Sequence, residues 1–73
     1  MPPLPILSGK EIIKALSKLG YYEIRQRGSH IRLYCNNKKS VTMPNHKIIG
    51  FSLLRKIIRD IDISVEDFLK LLN

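Results

Sequence analysis

Cysteine occurs once in the chain, as Cys35, so no disulfide framework can form within it and no zinc site can rest on cysteine pairs. Tryptophan is absent and only two histidines, His30 and His46, are present. Without a carboxylate cluster beside them, these two make a poor metal site, and neither metal nor cofactor is expected. No apolar run approaches the roughly 20 residues that a membrane-spanning helix needs. The opening Met1-Pro2-Pro3-Leu4-Pro5-Ile6-Leu7 has no basic n-region, and prolines interrupt its apolar stretch, so it does not read as a signal peptide. Residues 1–7 are expected to form an extended arm, because proline fixes φ and removes a donor. Residues 8–73 are then a single small domain. A chain without disulfides fits the reducing cytoplasm, which is the expected location.

Acidic residues are scarce where basic ones gather. Residues 1–50 hold nine Lys/Arg and two acids, whereas residues 51–73 hold four of each. The whole excess of +7 therefore lies in the first two thirds. From Arg25 to Lys39 there are five basic residues (Arg25, Arg27, Arg32, Lys38 and Lys39) and no acid. Such a patch attracts phosphate backbones by releasing their counterions. A solubilising charge bias or an acidic protein partner would also account for it. No helix concentrates basic residues as a major-groove DNA reader does.

Hydrophobic spacing gives the element order. Ser8 and Glu11 form a capping-box pattern, and Ile12, Ile13, Leu16 and Leu19 follow as a helical stripe. Gly20 is the expected C′ stop, which predicts a first helix over residues 9–19. Tyr21–Arg27 reads as a strand in which Tyr22 and Ile24 alternate with Tyr21, Glu23, Arg25 and Arg27. After the Gly28 turn, Ser29–Cys35 alternates, with Ile31, Leu33 and Cys35 inward and His30, Arg32 and Tyr34 outward. Asn36-Asn37-Lys38-Lys39 is expected to turn, asparagine tolerating positive φ. Ser40–Met43 forms a third strand with Val41 and Met43 inward, and Pro44 ends it. Asn45–Phe51 is a loop. A second helix starts at Ser52 with Leu53, Leu54, Ile57, Ile58 and Ile61 as its apolar side. Ser64 caps a last helix carrying Val65, Phe68, Leu69 and Leu72. The expected fold is α+β: a three-stranded antiparallel sheet with helices on one face and the other face open to solvent.

This alternation places His30 with Arg25, Arg27 and Arg32 on the open face. Glycine at 28 lets the backbone approach a ligand, its neighbouring amides can donate to phosphate, and Ser29 adds a hydroxyl. Histidine is the side chain suited to proton transfer near neutral pH. RNA brings its own nucleophile, the 2′-OH, so a base, an acid and positive charge suffice to cleave it. His30 suits the proton-transfer role, with Arg27, Arg32 and Lys38 beside the charge that develops. Spacing alone favours a surface histidine that only contacts phosphate or caps the turn; Gly-Ser-His is too short to identify a catalyst by itself. His46 is a second histidine in a loop; it reads first as a loop histidine without a role, and otherwise as a phosphate ligand or the complementary acid or base. Cys35 reads as a small buried hydrophobe. Tyr21, Tyr22 and Tyr34 are all candidates for stacking on bases, with Tyr22 read first as core and Tyr34 as the best stacking candidate.

The string Ser8-Gly9-Lys10-Glu11, then Leu19-Gly20-Tyr21, then Arg25-Gln26-Arg27-Gly28-Ser29-His30, resembles the HicA (YcfA-like) toxins of prokaryotic toxin–antitoxin systems. Met43-Pro44-Asn45-His46, Leu54-Arg55-Lys56-Ile57-Ile58 and Ile63-Ser64-Val65-Glu66-Asp67-Phe68-Leu69 extend the likeness over nearly the whole chain. The resemblance implies an α-β-β-β-α fold similar to the double-stranded-RNA-binding domain and a metal-independent mRNA interferase activity. It implies His30 of Gly28-Ser29-His30 as the catalytic residue and a HicB-like antitoxin covering the site. RNA contacts are expected at Arg25, Arg27, Gly28, Ser29, Arg32, Lys38, Lys39 and His46. The alternative is a non-catalytic RNA-binding module using the same face. Two positions depart from the pattern. A Lys-x-Gly-Thr-Leu-like stretch is replaced by Gly50-Phe51-Ser52-Leu53-Leu54, and the usual glycine before Ile63-Ser64 is Asp62.

Overall fold

The computed structural model describes residues 3–72. The elements run α1 (Gly9–Ser17), β1 (Tyr22–Arg27), β2 (His30–Cys35), β3 (Lys38–Pro44), α2 (Phe51–Asp60) and α3 (Val65–Leu71). The strands form one antiparallel sheet in the order β1-β2-β3, with β2 central. This is the α+β architecture the hydrophobic spacing implies.

Local chemistry sets the helix ends. Ser8 Oγ accepts from the Glu11 amide at 3.1 Å, and the Glu11 carboxylate accepts from the Ser8 amide at 2.9 Å, a complete capping box. Regular helix stops at Ser17, two residues short of the predicted end, but the carbonyls remain paired. Gly20, at φ +105°, donates to Ser17 O at 3.1 Å, and Tyr21 donates to Leu16 O at 3.3 Å. That pair of bonds is a Schellman closure with glycine at its left-handed position. α2 ends in the same way, with Asp62 donating to Arg59 O at 3.1 Å and Ile63 to Ile58 O at 3.4 Å. There the left-handed residue is Asp62, at φ 60°. Ser64 Oγ caps α3 by accepting from the Asp67 amide at 3.0 Å.

One sheet face is covered. Ile31, Leu33 and Cys35 of β2 and Val41 and Met43 of β3 are buried in one cluster with Ile12, Leu16, Leu54, Ile57, Ile58 and Phe68 from the helices. Leu4 and Leu7 of the expected arm join this core, and Leu7 O accepts from the Ile49 amide at 2.8 Å. Met1 and Pro2 of that arm, and Asn73 of the expected domain, lie outside the described residues. α1 packs closely on the end of β3, since a Cβ at Gly9 would collide with the Pro44 carbonyl oxygen.

Three expectations need correction. Tyr22 and Ile24 are not core: they are 55% and 51% exposed, and every residue of β1 is exposed. β1 is an edge strand whose register with β2 shifts between Glu23 and Arg25, so simple alternation through Ile24 fails. The buried tyrosine is Tyr21, whose hydroxyl donates to Lys39 O at 2.6 Å. The second turn is only Asn36-Asn37, with Cys35 paired to Lys38, so Lys38 and Lys39 belong to β3. Neither asparagine has positive φ, because Asp62 is the only non-glycine residue with one among the described residues. A register shift between Leu33 and Cys35 accompanies this turn.

Candidate nucleic-acid interface

The β1–β2 hairpin closes on Gly28-Ser29, with Arg27 paired to His30. Gly28 has φ +56° and Ser29 does not have positive φ, the pattern of a two-residue hairpin turn with glycine at its first central position. A Cβ at Gly28 would meet nothing within 4 Å, so glycine is needed there for its dihedral and leaves the turn surface open. Gln26 Nε2 donates to Gly28 O at 2.9 Å and braces the turn. Ser29 O accepts from the Asn45 amide at 2.6 Å, which ties the turn to the loop after β3.

Because Ile31, Leu33 and Cys35 are buried, His30, Arg32 and Tyr34 stand on the opposite face of β2. Directly paired residues of antiparallel strands share a face. Arg27 pairs with His30, Arg25 with Arg32 and Tyr22 with Tyr34, while Pro44 and Thr42 of β3 pair with His30 and Arg32. The open face is thus a ladder of rungs: Arg27/His30/Pro44, then Arg25/Arg32/Thr42, then Tyr22/Tyr34. Arg25, Arg27, His30, Arg32 and Thr42 line a shallow cavity of ≈ 110 Å³. Arg32 donates to Thr42 Oγ1 at 2.8 Å, which fixes its guanidinium over the sheet. No carboxylate pairs with Arg25, Arg27 or Arg32 among the described residues. Three guanidinium groups held together without an acid repel one another, and an anion on this face relieves that repulsion. Larger clefts of ≈ 310 and ≈ 390 Å³ lie along α1 and beside Asp62, and neither contains a histidine.

His46 is exposed, and its carbonyl accepts from the Gly9 amide at 2.9 Å. It follows Pro44, the β3 partner of His30, by two residues, so both histidines occupy the same end of the sheet. Lys38 and Lys39 do not join them. Lys38 pairs with Cys35 at the far end of β2, about 17 Å along the strand from His30 at the usual rise per residue. Its ammonium donates to Ile61 O at 2.9 Å, where a cation complements the C-terminus of α2. Lys39 sits at the same end, near enough to Asp60 to favour its ionised form. Asp60 itself is held below its ordinary pKa first by the hydrogen bond from Lys56, at 2.9 Å. Tyr21 has its pKa raised, mainly by burial and then by Cys35. Thr42 and Tyr22 also stand on this face, Tyr22 in place of the expected core position. Inward Val41 and Met43 already place Thr42 outward. No group of three or more potential metal-ligating side chains occurs among the described residues. No described helix is long and apolar enough to cross a membrane.

A small α+β domain with an uncompensated basic sheet face and a histidine at the hairpin turn defines the class of molecule. The chain belongs to the HicA toxin family: the family model for the HicA toxin of bacterial toxin–antitoxin systems matches residues 9–63. Membership implies an antitoxin partner. Comparisons with curated proteins and with solved structures give no match. The matched segment includes all three strands and Gly28-Ser29-His30.

Proposed function

We propose that the protein is a metal-independent endoribonuclease toxin, an mRNA interferase, with His30 as its catalytic residue. The observation that carries this reading is the convergence of Arg25, Arg27 and Arg32 around the exposed His30. One imidazole nitrogen of His30 takes the proton of a ribose 2′-OH as that oxygen attacks the adjacent phosphorus. The bond to the 5′-oxygen breaks, a second group returns a proton to it, and a 2′,3′-cyclic phosphate is left behind. The guanidinium groups hold the phosphate and stabilise the charge that accumulates on its oxygens. His46, at the same end of the sheet, is the candidate for the second proton transfer. Gly28 and Ser29 keep the turn low and polar, so the backbone of the RNA reaches His30. A HicB-like antitoxin that covers this face neutralises the toxin, and the cytoplasm is where mRNA is available to it.

Incubation of RNA with pure protein in excess chelator tests the proposal. Fragments are expected with the wild type and not with a folded His30→Ala variant. Salt-sensitive binding with intact RNA would instead identify a non-catalytic RNA-binding module.

A further inference from the structure

The third rung of the ladder has no part in the chemistry described so far. Tyr22 and Tyr34 face each other across β1 and β2, with ring centroids 5.7 Å apart and ring planes at 69°. Tyr22 is 55% and Tyr34 36% exposed, although an edge-to-face aromatic pair is ordinarily a core or interface feature. Neither hydroxyl makes a hydrogen bond within the described residues, in contrast to Tyr21, which is buried and bonded to Lys39 O. The pair lies on the same face as His30, about 13 Å along β2 from it, with Arg25 and Arg32 on the rung between. Imidazole, guanidinium pair and aromatic pair thus follow one another in line.

We infer that Tyr22 and Tyr34 form a base-stacking subsite for single-stranded RNA, a few nucleotides from the bond that His30 cleaves. The inference rests on the proposed RNA cleavage and adds to it the state of the substrate. Guanidinium groups alone grip the phosphates of a duplex and of a single strand alike. An aromatic face can be covered only by a base that has left its own stack, so the subsite selects unpaired RNA. In an edge-to-face pair one ring supports the other and leaves its face free for a base. A purine presents the larger surface to it. A purely structural pair would pin β1 to β2 and have no reason to sit beside unpaired arginines.

The test uses an RNA oligonucleotide with 2-aminopurine placed at successive positions, bound to the full-length His30→Ala protein so that it stays intact. Fluorescence quenching is expected at one position or two adjacent ones. Tyr34→Phe is expected to keep the quenching, whereas Tyr34→Ala loses it and weakens binding roughly ten-fold. Wild-type protein with an RNA lacking the base at that position is expected to show the same loss of affinity, which frees the result from any folding defect of a variant. A duplex of the same sequence is expected to bind without quenching. Uniform quenching, no quenching, equal binding of the abasic RNA, or no RNA binding at all would overturn the subsite. Cleavage by the wild type without a quenched position would reject the subsite and leave His30 catalysis standing. A quenched position without cleavage would do the reverse.

Discussion

Replacement of Asp62 by glycine should stabilise this protein. Asp62 closes α2 at φ 60°, the left-handed region in which its Cβ crowds the backbone. The closure itself is sound: the Asp62 and Ile63 amides both reach carbonyls of the last turn, at 3.1 and 3.4 Å. The strain is therefore a property of the side chain and not of the turn. A left-handed L-residue costs about 1–2 kcal/mol, and aspartate sits at the low end of that range. A carboxylate at a helix C-terminus adds a few tenths of a kcal/mol of repulsion. Glycine removes both and loses part of the gain through its freer unfolded chain, so the net change is about 0.5–1 kcal/mol. For a domain of this size that raises Tm by roughly 3–6 °C. Asp62→Ala supplies the opposite sign, because alanine keeps the Cβ and lacks the local polar tolerance of aspartate. Thermal melting by circular dichroism at pH 7 measures both. An Asp62→Gly Tm equal to or below that of the wild type would refute the strain argument.

Other consequences concern the basic and buried polar groups. Lys38→Met is expected to cost about 1 kcal/mol of stability through the lost bond to Ile61 O, with the salt dependence of RNA binding unchanged. Arg32→Met is expected to do the opposite, leaving Tm nearly unaltered while the slope of log K against log salt falls by about 0.7; titrations at several salt concentrations separate the two. Tyr21→Phe is expected to cost about 1 kcal/mol at pH 7 by leaving Lys39 O without its donor. The folded state raises the Tyr21 pKa above 10.0, so the neutral phenol favours folding. That contribution is complete below pH 10.0 and is lost as pH rises through the folded-state value. Alkaline melts should therefore fall more steeply for the wild type than for Tyr21→Phe.

The sequence revealed the helices and the central strand because their signals are local. The Ser8/Glu11 box, Gly20 and the Ile31-Leu33-Cys35 alternation each specify a conformation without knowledge of neighbours. β1 departs from simple alternation because the helices do not cover this edge strand, so neither of its faces is buried, and the shift at Ile24 resets which residues share a face. A signal for Tyr21 did exist: the residue after the left-handed glycine of a Schellman closure commonly packs against the last turn, and Tyr21 joins Leu16 in the buried core. Lys38 shows the limit of counting charge. Its place near Arg32 in the sequence becomes the far end of the sheet once the Asn36-Asn37 turn is formed, and a residue paired with inward Cys35 is directed to the helices. Arg25, Arg27 and Arg32 share the face of His30 because cross-strand pairing preserves the face. Tyr22 came to that face only through the register shift, which composition and spacing do not disclose.

The central claim is that His30 performs proton transfer within this arginine-lined face. Its most direct test is cleavage of a defined RNA in excess chelator by wild type and by His30→Ala, with the fold of both checked by melting. The account predicts fragments ending in 2′,3′-cyclic phosphate for the wild type and a loss of at least two orders of magnitude in rate for the variant. A folded His30→Ala protein that cleaves at the wild-type rate would contradict it.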